Sequence, residues 1–67
     1  MLDLHRATIV TADPSRFRAT VRLDRDGRLL DRIPVNGGIP PESLVPGQPC
    51  LLALLDEEAL VVSTRVG

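Results

Sequence analysis

Alternation between apolar and polar residues is the clearest pattern in this chain. Over residues 17–23, Phe17, Ala19, Val21 and Leu23 fall on one face; Arg18, Thr20 and Arg22, continuing from Arg16, fall on the other. A period of two over this length predicts a half-buried strand. Asp24-Arg25-Asp26-Gly27 follows, and Asp-Gly favours a hairpin turn because Gly accepts positive φ. The partner strand is expected over residues 28–35, where Leu29, Leu30, Ile33 and Val35 do not share one parity. A bulge near Asp31 reconciles them. Upstream, residues 6–12 are rich in β-branched side chains and read as the first strand. Residues 1–6 read as a mixed lead-in. Asp13-Pro14-Ser15 breaks the strand, since Pro14 fixes its own φ and forces Asp13 extended.

Residues 36–47 read as one long loop, with Gly37-Gly38, Pro40-Pro41 and Pro46-Gly47. A single helical turn is expected at Glu42-Ser43-Leu44. Its length and its glycines mark this loop as the segment to move or to meet a partner. Strands four and five are expected over residues 49–55 and 60–65, joined by the acidic turn Asp56-Glu57-Glu58-Ala59. In strand four Cys50, Leu52 and Leu54 face one way, and Leu51, Ala53 and Leu55 the other. In strand five Leu60, Val62 and Thr64 alternate with Val61, Ser63 and Arg65. Leu51, Ala53, Leu55 and Val61 cannot all share a small core with Cys50, Leu52, Leu54, Leu60 and Val62. The surplus face is expected either to meet another subunit or to lie beneath the 36–47 loop. Leu51 and Leu55, if buried in a contact, would each contribute about 1.5–3 kcal/mol. Five short strands, close turns and no long helix predict an all-β fold: a five-stranded antiparallel barrel of OB or SH3-like type, or a two-sheet sandwich.

Composition narrows the role. A chain of 67 residues is a single domain, and a domain of this size buries only about 60% of the surface of its open chain. Cys50 is alone, so neither a disulfide nor a structural zinc site is available. Oligomerisation is the remaining common route to stability. The net charge is −1, and all eight basic residues are Arg; the missing Lys reads as a mark of genome base composition. That charge is not the basic excess of a free nucleic-acid binder. One Phe and no Tyr or Trp also argue against a single-strand-binding barrel with several stacking platforms. No apolar run reaches membrane-span length and no signal-peptide core opens the chain, so synthesis and use in the cytoplasm, or packaging from it, are expected.

Four features are candidates for chemistry. Arg16, Arg18 and Arg22 form a row that suits phosphate, or a solvated face with Asp24, Asp26 and Asp31 nearby, or ion pairs to a neighbouring subunit. Asp56, Glu57 and Glu58 read as a hydrated turn, with pairing to the Arg face of another copy as a head-to-tail contact. Cys50 has no basic neighbour and reads as a buried, inert thiol. The surplus apolar face is the fourth. His5 stands alone as a surface or edge residue. Ser15, Ser43 and Ser63 lack a nucleophile-elbow context, and Asn36-Gly37-Gly38 is not a phosphate-binding loop. The expectation is a protein that is not an enzyme and uses no cofactor or metal.

The layout resembles the small β-barrel domains of tailed-phage neck and tail proteins. The matching pieces are Ala7-Thr8-Ile9-Val10-Thr11-Ala12-Asp13-Pro14, Phe17-Arg18-Ala19-Thr20-Val21-Arg22-Leu23, Ile33-Pro34-Val35, and Leu44-Val45-Pro46-Gly47-Gln48-Pro49-Cys50-Leu51-Leu52-Ala53-Leu54-Leu55. The resemblance implies a head-to-tail connector, stopper or tail-hub subunit of the virion. It implies a homo-oligomeric ring with portal or tail proteins as partners, around a channel that passes DNA without sequence readout. The subunit interface would then hold Leu51, Ala53, Leu55, Val61, Arg16, Arg18, Arg22, Asp56, Glu57 and Glu58. The loop Asn36, Gly37, Gly38, Ile39, Pro40 and Pro41 would line the lumen or meet a partner. The chain is also similar to small oxyanion-binding barrels of the molybdate type, though it lacks their C-terminal Lys, with Asp56 near that place. An OB-type nucleic-acid module is the third reading.

Overall fold

The computed structural model describes residues 2–56 and 58–65. Five strands form one strongly curled antiparallel sheet: β1 (Leu2–Asp13), β2 (Arg18–Leu23), β3 (Leu29–Pro34), β4 (Pro49–Leu55) and β5 (Glu58–Ser63). Their spatial order is β3-β2-β1-β4-β5. Three consecutive strands, with the fourth returning beside the first, make a Greek key. A meander would instead close β5 onto β1. The connectivity is therefore that of an OB-type, partly open barrel rather than an SH3-like one or a sandwich.

β1 is twice as long as β2, because it serves two partners. Its first half pairs with β4, from Leu2↔Leu55 to Thr8↔Pro49. Its second half pairs with β2, from Ala7↔Leu23 to Asp13↔Arg18. The register slips between Ile9 and Thr11, leaving Val10 as the extra residue. Such a bulge bends the strand and lets one strand belong to two walls. Residues 2–6 are thus not a lead-in. Their own pattern is mixed, but β4 supplies a ladder that a single-sequence reading could not see.

β2 behaves as its alternation predicts, with Ala19, Val21 and Leu23 buried and Arg18 and Arg22 exposed. Phe17 departs from it: it ends the 3-10 turn Pro14–Arg16 with a left-handed φ of 52° and is 37% exposed, off the core face. The Asp-Gly turn forms with Gly27 at φ 75°, and the Gly27 N–H donates to Leu23 O at 2.8 Å. The expected bulge in β3 exists: Ala19 pairs with Ile33 but Val21 with Leu30, so Asp31 and Arg32 together oppose Thr20.

The β4–β5 hairpin turns over residues 56–57, which pairs Leu55 with Glu58 and Leu52 with Val61. β5 therefore starts two residues earlier than expected. That register, not the alternation alone, decides which residues point inward. Val61 is fully buried in the core beside Leu52 and Cys50, while Leu60 faces out. This corrects the assignment of Val61 to an interface face and of Leu60 to the core. The core also takes Ile39 and Leu44 from the 36–47 loop, which carries the 3-10 turn Pro41–Ser43 and lies over one end of the barrel.

Among the described residues, the barrel closes only at one point, a parallel bridge between Val35, just after β3, and Val61 of β5. Asn36 fastens it: its N–H donates to Val61 O at 2.9 Å, and its side-chain amide donates to Val62 O at 3.3 Å. Its Oδ1 accepts the Gly38 N–H at 3.1 Å.

Leu52→Ala should cost about 2–5 kcal/mol, a large part of the roughly 3–10 kcal/mol available to a chain of this size. Leu60→Ala should change the stability of the monomer by about 0.5 kcal/mol or less. Urea unfolding followed by far-ultraviolet circular dichroism measures both, and equal losses would contradict the observed register.

Candidate functional site

Three surfaces merit description. The first is the outer face of β1, β4 and β5. Leu4 lies opposite Ala53, and Ala53 opposite Leu60. Directly opposed residues share a face, so these three form one row across the sheet. Leu4 is 62% exposed and Leu60 39%, while Ala53 between them is 8% exposed and packs outside the core cluster. Leu55, two residues along β4 from Ala53, is 44% exposed, and Leu51 is half-buried. Of the expected interface residues, Leu51, Ala53 and Leu55 share this face; Val61 does not, being in the core. Leu4 and Leu60 were missed. Leu4 reaches this face through the pairing of β1 with β4, and Leu60 through the register set by the β4–β5 turn.

The 36–47 loop does not cover this face, since Leu55 stays open. Next to it a cleft of about 690 Å³ separates the edges of β3 and β5, with Leu30, Ile33 and Pro34 on one wall and Ala59 and Leu60 on the other. This is the unclosed part of the barrel. Edge strands with free backbone groups are places where other chains pair.

The second surface is the outer face of β1, β2 and β3. A groove of about 390 Å³ is lined by Thr11, Asp13, Arg16, Arg18, Thr20 and Arg32, among others. The bulge builds one wall. Thr20 Oγ1 donates to Asp31 Oδ1 at 2.7 Å and accepts the Arg32 N–H at 3.3 Å, while Arg18 Nη1 donates to Arg32 O at 3.4 Å. Arg32 sits at φ 49°, a left-handed conformation that costs a residue with a side chain about 1–2 kcal/mol.

The carboxylates near the Arg row are mostly engaged by local partners. Asp13 accepts Ser15 Oγ at 2.6 Å and meets Arg16 at 3.8 Å. The Ser15 hydrogen bond holds the Asp13 carboxyl below its ordinary value against desolvation, and the Arg16 charge lowers it by a smaller amount. Asp24 accepts Thr8 Oγ1. Asp26 caps the Arg28 N–H and meets Arg25 at 3.9 Å. Both ion pairs are exposed and contribute little. Among the described residues, Arg18, Arg22 and Arg32 have no carboxylate within ion-pair distance. Asp56 and Glu58 are exposed at the far hairpin; Glu57 lies outside the described residues.

The third surface is the loop of Asn36, Gly37, Gly38, Ile39, Pro40 and Pro41. It is tied down rather than free. Besides Asn36, Ser43 Oγ donates to Pro40 O at 2.8 Å and lies 3.0 Å from Thr64 Oγ1, and Gln48 Nε2 donates to Thr64 O at 3.1 Å. Ile39 points into the core, so it is removed from the partner-facing set. Gly37, Gly38, Pro40 and Pro41 remain exposed.

His5 is half-buried opposite Leu52. Among the described residues no three His, Cys, Asp or Glu side chains gather as a metal site, and no helix is long and apolar enough to cross a membrane.

Cys50 is a free, buried thiol. Burial, with a smaller contribution from the Asp24 carboxylate, pushes it from 9.0 up to about 11. At pH 8 it should react with a disulfide reagent orders of magnitude more slowly in the folded protein than in urea. The folded value lies above the unfolded one, so this contribution to stability is whole below pH 9 and is lost as pH rises towards 11. Alkaline melting curves should show that slope in the wild type, and a flatter one in Cys50→Ala. Comparisons of the chain with protein-family models, with curated proteins and with solved structures find no match to any of them.

Proposed function

We propose that this barrel is a structural subunit that assembles into a homo-oligomeric ring, in the manner of the tailed-phage neck and tail proteins its sequence resembles. In that setting its partners are copies of itself and portal or tail proteins. The ring surrounds a channel that passes DNA without sequence readout. Its place is the virion.

The row Leu4–Ala53–Leu60, extended by Leu55, is the observation that supports this reading. Three large leucines exposed on one face of so small a domain are a contact surface waiting for cover. A standard interface takes about 800 Å² from each partner. The chain exposes 4531 Å², so a subunit with two ring neighbours would give up about a third of its surface. A head-to-tail ring needs two different, complementary patches. The apolar row beside the acidic Asp56 and Glu58 is one of them. Arg22 and the exposed Leu29 next to it, paired across β2 and β3, offer the apolar and basic counterpart. Gly37, Gly38, Pro40 and Pro41 then present the tethered loop to the lumen or to the next protein.

Native mass spectrometry and light scattering at high micromolar concentration should find a defined oligomer. Leu4→Asp combined with Leu60→Asp should reduce it to monomers that keep the wild-type circular dichroism spectrum. A wild type that stays monomeric at that concentration would remove the proposal.

A further inference from the structure

We propose that Asn36 is a self-modification site: it loses its side-chain ammonia through a cyclic imide formed with the Gly37 nitrogen, and the carboxylate left after hydrolysis unfastens the barrel. The chemistry needs only water, and it does not depend on ring assembly.

Asn36 is the chain's only asparagine, and a glycine follows it. A glycine nitrogen has no neighbouring side chain to obstruct its attack on the Asn Cγ. Asn36, Gly37 and Gly38 are all exposed, and among the described residues no hydrogen bond occupies the Gly37 N–H. The Gly38 N–H donates to Asn36 Oδ1 at 3.1 Å. The ring closed by that bond contains both the Asn36 Cγ and the Gly37 nitrogen, so it folds the electrophile back towards the nucleophile. The turn at Asp26-Gly27 is the internal contrast. Asp26 accepts the Arg28 N–H as Asn36 accepts that of Gly38, but the Gly27 N–H is already donated to Leu23 O at 2.8 Å.

Hydroxide removes the Gly37 N–H proton, and the nitrogen's electron pair forms a bond to Cγ. The Cγ–Nδ2 bond then breaks, and Nδ2 departs as ammonia after taking a proton from water, which restores the hydroxide. Water opens the imide at either carbonyl and leaves an aspartyl or an isoaspartyl residue. Negative charge passes through two oxygens on this path, and each already holds a backbone donor. The deprotonated amide places it on Asn36 O, which accepts the Ile39 N–H at 3.0 Å. The tetrahedral intermediate places it on Oδ1, which accepts the Gly38 N–H. Donors set in place beforehand stabilise developing charge without reorganisation. The product matters because of where Asn36 stands. Its side-chain amide donates to Val62 O at 3.3 Å, beside the bridge Val35↔Val61. A carboxylate keeps the Gly38 N–H but has no proton for Val62, and it sets an oxygen against that carbonyl. The isoaspartyl form also adds a methylene to the main chain at this point. Either product weakens the tie between the end of β3 and β5, next to the cleft between their edges.

Intact-mass spectrometry with peptide mapping tests this on the purified chain, held folded in mildly alkaline buffer and, in parallel, unfolded in urea. The folded chain should gain one mass unit at Asn36, with aspartyl and isoaspartyl forms both present, at a rate no more than severalfold below that in urea. Gly37→Ala should slow the gain severalfold and melt no lower than wild type, since a Cβ at Gly37 meets nothing within 4 Å and the φ there is not left-handed. Asn36→Asp carries the product's charge without the extra methylene. It should melt about 5 °C lower than wild type, the loss of one hydrogen bond in a domain of this size. An Asn36 that stays intact in the folded chain while it reacts in urea would overturn the proposal, because its hydrogen bonds would then protect the side chain. So would an undiminished rate in Gly37→Ala, or an Asn36→Asp variant that melts with the wild type.

Discussion

Everything in this fold depends on β1 having two neighbours. It is the strand that the two hairpins share, paired with β4 on its first half and with β2 on its second, and the extra residue Val10 bends it between them. At Ala7 and Thr8 both ladders overlap. The core forms around that overlap: Ala7, Val21, Cys50 and Leu52 are all buried there. Neither hairpin, β2–β3 or β4–β5, would bury its inner face without β1 to hold the two at an angle. Two-stranded ribbons are marginal alone, and one shared strand turns a pair of them into a domain.

What the sequence reveals depends on whether the cause is local. β2 and its Asp-Gly turn are legible because alternation and a turn dipeptide act within a few residues. The β3 bulge is legible as a need, because no single parity places Leu30 and Ile33 together. The first half of β1 is not legible, because residues 2–6 become a strand through pairing with residues that lie fifty positions away in the chain. Phe17 is misplaced by the same limit. Its parity matches Ala19 and Val21, but the Pro14–Arg16 turn ends on it and twists it out of the strand.

The surfaces follow the same logic. An excess of apolar residues near the C-terminus can be counted from the sequence, and Leu51, Ala53 and Leu55 do share an outer face. Their companions there, Leu4 and Leu60, depend on two registers that only the assembled sheet sets. The Arg row is equally visible, but Arg32 is not part of any row. It reaches the same groove because the bulge at Asp31 shifts it out of step. The polar partners that hold it, Thr20 and Asp31, read in sequence as an ordinary solvated face.

The hairpin over residues 56–57 has a consequence for how such a surface originates. It joins Leu55 directly to Glu58, so its length assigns every later side chain to inside or outside. One residue more or fewer would exchange Val61 and Leu60 between inside and outside, so that the outer row would read Leu4, Ala53 and Val61 in place of Leu4, Ala53 and Leu60. In a chain built this way, stickiness is controlled less by which residues are inserted into β5 than by the size of the bend that precedes it.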